Sequence, residues 1–139
     1  MYECERCGCK RDAQKRLVIV ELADALVIHV NRARWLLHGS KEKLQTHVAF
    51  PLRDFDLSEF CADSEVEGGL NTVYDLKACV YHHGSGMETG HYSVVCANPR
   101  GDWVRYNDGK VDIATVEEVE QSQAYLLFYQ RQRPRGSVS

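Results

Sequence analysis

The sequence predicts an α+β fold, predominantly antiparallel β. Apolar residues alternate at a period near two along most of the chain. Turn residues separate the alternating runs, and a helix-start signature stands near the C-terminal end. Residues 16–20 read as a first strand. Residues 25–30 read as a second, apolar enough to be buried on both faces. Residues 44–50 form a weaker third, ended by Pro51. Residues 63–71 read as a loop. In residues 74–82, Tyr74, Leu76, Ala78 and Val80 share one face, with Asp75 and Lys77 on the other. Residues 91–97 follow as a strand, 98–102 as a turn and 103–107 as the next strand. Asn107, Asp108 and Gly109 turn again into a short strand at 111–113. Thr115 with Glu118 makes a capping box for a short helix. Residues 124–130 are a last, very apolar strand, and 131–139 are expected to fray.

Length and composition bound the function. A chain of 139 residues suits one domain, and at this size about two-thirds of the unfolded surface is hidden. Hydrophobic residues at 44% and charged residues at 27% exclude disorder as a class. No run approaches the roughly 20 apolar residues of a membrane span. The opening Met1, Tyr2, Glu3 and Cys4 are not a signal peptide, so an intracellular protein without a membrane anchor is expected. A net charge of −3 disfavours a dedicated nucleic-acid binder. Setting aside Arg131, Arg133 and Arg135 leaves −6 on the remainder, a mildly acidic body that suits a basic partner. Of six cysteines, Cys4, Cys7 and Cys9 crowd the N-terminus, while Cys61, Cys79 and Cys96 are scattered. Without a secretory signal, Cys4-x-x-Cys7 reads as metal or redox chemistry, and the scattered three as small buried apolar residues.

The histidines are the main chemical stock. His82 and His83 precede a glycine-rich stretch, and His91 follows it. A histidine at the mouth of such a loop is held by rigid sheet while its ring faces a cleft, which suits a general base. A turn that happens to contain histidines would look the same. An imidazole base needs an orienting partner. Asn107 and Asp108 qualify, because antiparallel pairing across residues 98–102 returns the chain towards His91. They could equally be plain turn residues. Cys4 and Cys7 have the spacing of half a zinc knuckle, or of a cysteine-rich strand end. His29 reads as a core histidine, His38 and His47 as surface or strand residues, and Trp35 and Trp103 as core.

Taken in order, these motifs resemble the C-terminal half of the catalytic domain of the ubiquitin-specific proteases, a family of cysteine deubiquitinases. Tyr2 to Cys7 resembles the second Cys-x-x-Cys of that family's zinc-bearing fingers. Leu26 to Arg32 resembles its buried Leu-His-Leu-x-Arg strand. Tyr74, Asp75 and Leu76, with His82, His83, Gly84, Gly90, His91 and Tyr92, resemble its histidine box. Trp103 to Asp108, Val111, and Ala124 to Tyr129 resemble its closing segment. The likeness covers nearly all of residues 2–131. It implies a papain-like cysteine-protease fold, the fingers and palm without the helical thumb, over residues 1–131, with 132–139 as a flexible tail. It also implies roles. His91 is the general base, Asn107 the third triad member and Asp108 a supporting acid. His82, Gly90 and Tyr92 lie beside the bound ubiquitin tail. Cys4 and Cys7 are half of a zinc site.

The departures are equally informative. The family's cysteine box does not occur here, and neither does the first Cys-x-x-Cys. Two of three triad members and two of four zinc ligands are therefore expected. Thiol-dependent hydrolysis needs the nucleophile, so the resemblance implies a chain inactive alone. Its partners would be ubiquitin, ubiquitinated proteins and the N-terminal half of the domain. An inactive ubiquitin-binding pseudoenzyme and a zinc-bound interaction module are the alternatives.

Overall fold

A computed structural model of the chain describes residues 2–62, 69, 71–86 and 89–133. The body is a seven-stranded antiparallel sheet. In chain order its strands are β3 (Ala25–His29), β6 (Phe55–Asp56), β7 (Val73–His83), β8 (His91–Ala97), β9 (Trp103–Asn107), β10 (Lys110–Ala114) and β11 (Ala124–Arg131). Their spatial order is β10-β9-β8-β7-β11-β3, with β6 beside the start of β7. Two small hairpins stand outside it: β1 (Tyr2–Glu3) with β2 (Lys10–Arg11), and β4 (Ala33–Trp35) with β5 (Lys41–Lys43). Among the described residues, one α-helix, α1 (Val116–Glu120), connects β10 to β11, and a 3-10 turn spans Ser58–Phe60.

The capping box forms as the sequence requires. The Thr115 hydroxyl accepts from the Glu118 N–H, and the Glu118 carboxylate accepts from the Thr115 N–H. So short a helix has little stability of its own. It holds because Val119 is fully buried on the sheet, among Cys79, Val95, Trp103, Ala114, Ala124 and Leu127. Tyr74 and Tyr129 also enter this core, and each donates its hydroxyl to a carbonyl, Ala23 at 2.6 Å and Pro51 at 2.8 Å.

Two bulges decide which residues face that core. Tyr129 pairs with Leu76 and Phe128 with Ala78, so Lys77 is an extra residue on β7. Leu126 pairs with Val80 and Ala124 with Tyr81, so Tyr125 is extra on β11. Tyr74 and Leu76 face the core, and past Lys77 the buried position moves to Cys79. The expectation that Tyr74, Leu76, Ala78 and Val80 share one face is thereby corrected.

Three other strand expectations change. In residues 16–20 only Ile19 pairs, in one isolated parallel bridge to Cys61, while Leu17 is 83% exposed. Residues 25–30 form the edge strand β3, and Val27 on its open face is half-exposed. Residues 44–50 make no strand. Buried Arg32 takes the carbonyls of Leu44 and Thr46, at 3.1 and 2.9 Å, together with that of Ala124. The first carbonyls a ladder would use, those of Leu44, Gln45 and Thr46, are already committed to side chains. The neighbouring hairpin β4–β5 forms instead, closed by the Arg34–Glu42 ion pair and by Lys41 over the Trp35 ring. Most of the predicted 63–71 loop, and residues 134–139 of the predicted tail, lie outside the described residues. Gln132 is anchored through its N–H to the Val73 carbonyl.

The face opposite the core carries an unbroken apolar row. Val27, Phe128, Ala78, Cys96, Val104 and Ile113 are successive cross-strand partners on six strands. Val27, Phe128 and Ile113 in this row are exposed.

Candidate active site

His91 opens β8 and Asn107 closes β9. These strands are joined by a tight turn in which the Asn98 side chain accepts from the N–H groups of Arg100 and Asp102. Val94 pairs with Tyr106, so the register carries Asn107 to the diagonal neighbour of His91 on the same face. Nε2 of His91 lies 2.5 Å from Oδ1 of Asn107. An amide oxygen only accepts, so Nε2 carries the proton and Nδ1 holds the lone pair. Asp108 follows in a left-handed conformation, φ 50°, with Oδ2 3.8 Å from the same Nε2. That is a charge contact and not a hydrogen bond.

His83 is the direct cross-strand partner of His91. The two rings stack with centroids 5.9 Å apart, and Nε2 of His83 meets the Ser93 hydroxyl at 2.6 Å. Burial, then the charge of His91, hold His83 below the usual histidine range. His82 sits among other rings, 4.9 Å from Tyr92 and 5.9 Å from Tyr125, and burial lowers its pKa too. Gly90 is pressed against the His82 ring and the His83 carbonyl so closely that a Cβ has no room. A cleft of about 550 Å³ opens beside this cluster, lined by Lys43, His83, Ser93, Arg105, Asn107 and Glu118 among others.

The structure thus brings His91, Asn107 and Asp108 together, and separately His82, Gly90 and Tyr92. His83, Ser93 and Lys43 were not singled out as site residues from the sequence. His83 was findable, because an antiparallel pair puts it opposite His91. Nothing in the sequence pointed to Lys43.

The thiols divide by environment. Cys79 is fully buried, and desolvation pushes it up to about 11. Burial also raises Cys96. Neither is an activated nucleophile. Cys4 and Cys7 sit together in the β1–β2 hairpin, where the Cys4 carbonyl accepts from the N–H groups of Cys7 and Gly8. Hydrogen bonds from the Cys9 backbone and the Cys4 side chain lower the Cys7 thiol, which favours the thiolate a metal requires. Among the described residues no group of three or more His, Cys, Asp or Glu side chains could hold a metal ion. The residues present therefore fit zinc as two ligands, not as a complete site.

The chain matches the ubiquitin carboxyl-terminal hydrolase family over residues 1–129. It is 36% identical over 138 residues to ubiquitin carboxyl-terminal hydrolase 3 of Homo sapiens, covering 99% of this chain and 26% of that protein. It is 37% identical over 134 residues to ubiquitin carboxyl-terminal hydrolase 8 of Saccharomyces cerevisiae, covering 92% and 28%. The chain thus spans about a quarter of the length of these curated relatives. Among solved structures, it superposes on the SAGA Ubp8/Sgf11/Sus1/Sgf73 DUB module bound to ubiquitin aldehyde with a TM-score of 0.81. The identity is 34%, over 95% of this chain and 30% of that one.

Proposed function

Because this chain belongs to the ubiquitin carboxyl-terminal hydrolase family, among the ubiquitin-specific proteases, we propose that it supplies the general base and its orienting residue for cleavage after ubiquitin's C-terminal glycine. The observation that carries this reading is the His91–Asn107 hydrogen bond, which leaves Nδ1 of His91 as the basic atom.

The chemistry follows from that tautomer. Nδ1 takes the proton of a cysteine thiol supplied from outside this chain. The thiolate adds to the glycine carbonyl carbon, and the imidazolium returns the proton to the leaving lysine amine as the C–N bond breaks. Water, deprotonated by the same Nδ1, then hydrolyses the thioester and regenerates the thiol. Asn107 keeps Nε2 protonated and the ring fixed without adding charge. The carboxylate of Asp108, 3.8 Å from Nε2, favours the imidazolium while it exists. His82, Gly90 and Tyr92 form the wall along which the ubiquitin tail lies.

The apolar row from Val27 to Ile113 supports a further layer on the sheet. Exposed apolar surface of that extent is costly unless covered, and in this reading further parts of the domain cover it, while the nucleophile meets His91 on the other face of the sheet. Cys4 and Cys7 would give zinc two thiolates, with two more from the portion that bears the nucleophile. The metal would staple strands together and take no part in the chemistry.

A ubiquitin probe with a cysteine-reactive C-terminus tests the reading. The chain alone should form no adduct. Combined with the nucleophile-bearing portion of the domain it should form one, and His91→Ala should abolish it. An adduct on one of this chain's own six cysteines would sink the proposal.

A further inference from the structure

The β7 strand runs past the end of its neighbour. β11 begins at Ala124, which pairs with Tyr81, so beyond Tyr81 the edge of β7 on that side has no strand partner. Carbonyls two residues apart point to the same edge of a strand, and the half-buried one of His82 would be unfavourable if left unsatisfied. Here the two carbonyls beyond Tyr81 on that edge are both satisfied by one side chain. Nζ of Lys43 donates to His82 O at 2.6 Å and to Gly84 O at 2.8 Å. Lys43 is the last residue of β5, so these bonds join the β4–β5 hairpin to the loop that leads into His91.

The foot of the hairpin is itself fixed. Arg32 spans from Ala124 O, at the first residue of β11, to Leu44 O and Thr46 O. Arg32 and Lys43 together replace the ladder that β11 does not provide. Burial and the Arg32 charge both act against the Lys43 ammonium, so the two carbonyl dipoles have an energetic part in keeping it there. On the other side of the contact, Gly84 holds a φ of +123° and Gly90 is wedged against His83 O and the His82 ring. A shift of residues 82–84 is therefore passed to Gly90 and on to His91.

We propose that Lys43 is a positioning residue for the reaction proposed above: it ties the β4–β5 hairpin to the His82–Gly84 segment and so fixes the imidazole of His91. The hairpin tip carries exposed Trp35, Leu36 and Leu37, so a contact made there is transmitted to the base through one ammonium group.

The first test needs no activity. In the full chain, imidazole nitrogen NMR should show His91 as a single Nε2–H tautomer. Lys43→Met should lose that resolved signal while the amide spectrum of the sheet persists, and Lys43→Arg should restore it. An unchanged His91 signal in folded Lys43→Met overturns the proposal. If Lys43→Met does not fold, the wild-type ammonium decides. Two hydrogen bonds should make its NH3+ protons visible as slowly exchanging, and rapid exchange with water overturns the tie. In the reconstituted domain, Lys43→Met should lower kcat about tenfold to a hundredfold, since small misplacements of a catalytic group have effects of that size. A domain that cleaves nothing while the His91 and Lys43 signals behave as described fails the proposed reaction and leaves the tie standing.

Discussion

Oδ1 of Asn107 accepts a hydrogen bond from Nε2 of His91 at 2.5 Å, and this one contact determines which ring nitrogen is basic. A neutral amide does this without holding a permanent negative charge against the ring. Asp108, with its side chain 82% exposed, stands close enough to add one. Orientation and charge are thus provided by two adjacent residues.

Replacing Asn107 separates the two contributions. Asn107→Ala should lower kcat in the reconstituted domain by about a hundredfold or more, because the wrong tautomer becomes populated. Asn107→Asp should retain most of it, since a carboxylate oxygen also accepts from Nε2. Steady-state hydrolysis of a ubiquitin C-terminal fluorogenic amide reads both. A kcat unchanged by Asn107→Ala would remove the residue from this role.

Gly90 is a steric requirement more than a flexible joint. Gly90→Ala should cost about 1–3 kcal/mol, as overpacking does where backbone cannot yield, because its Cβ meets the His83 carbonyl as well as the His82 ring. Gly86→Ala is the control, since nothing stands within 4 Å of a Cβ there. Calorimetric midpoints of the two variants should differ clearly, and equal midpoints would contradict the geometry.

His83 should make the fold acid-sensitive near neutrality. Its folded pKa lies below the ordinary 6.5 because of burial and the charge of His91. Between those two values the unfolded chain binds more protons, so stability rises with pH in that window. It is lost as pH falls from 6.5 through the lowered value. His82 acts in the same direction. His83→Gln should therefore reduce the slope of urea-unfolding stability between about pH 5 and pH 7 without abolishing it. A slope unaltered by the substitution would mean that His83 is not desolvated.

The thiols should react in a fixed order. Cys7 is exposed and its pKa is lowered, whereas Cys79 is buried and raised to about 11. Timed iodoacetamide labelling with peptide mass spectrometry should find Cys7 early and Cys79 only on unfolding. If Cys4 and Cys7 hold zinc in the reconstituted domain, chelation should unmask both together. Labelling indifferent to chelator would exclude a metal there.

Much of this was legible in the sequence. Strands β7, β8, β9 and β11 announce themselves by alternation between strong turns, and the 98–102 turn already implied that Asn107 returns towards His91. The β4–β5 hairpin escaped notice because its strands are held by Arg34, Glu42, Lys41 and Trp35 instead of by apolar alternation. Its turn places His38 and Gly39 at φ 85° and 81°, and Gly39 was the available hint. Residues 44–50 misled for the converse reason: they have a strand's composition, but a distant arginine occupies their carbonyls. Side chains that stand in for ladders leave no period in a sequence.

The extra residue at Lys77 behaves like a frameshift in the sheet. Before it, even-numbered residues of β7 point to the core; after it, odd-numbered ones do, so His83 and its cross-strand partner His91 stand on the same face of the sheet as Cys79. Deleting Lys77 would remove one exposed lysine and leave the site's own residues unchanged. It would also straighten the ladder, leaving Tyr74, Leu76 and Cys79 at regular two-residue spacing on one face, so the core should survive the deletion. Lys77 is thus a spacer that sets which face each half of β7 presents, while the imidazole beside the base is fixed by the pairing of β7 with β8.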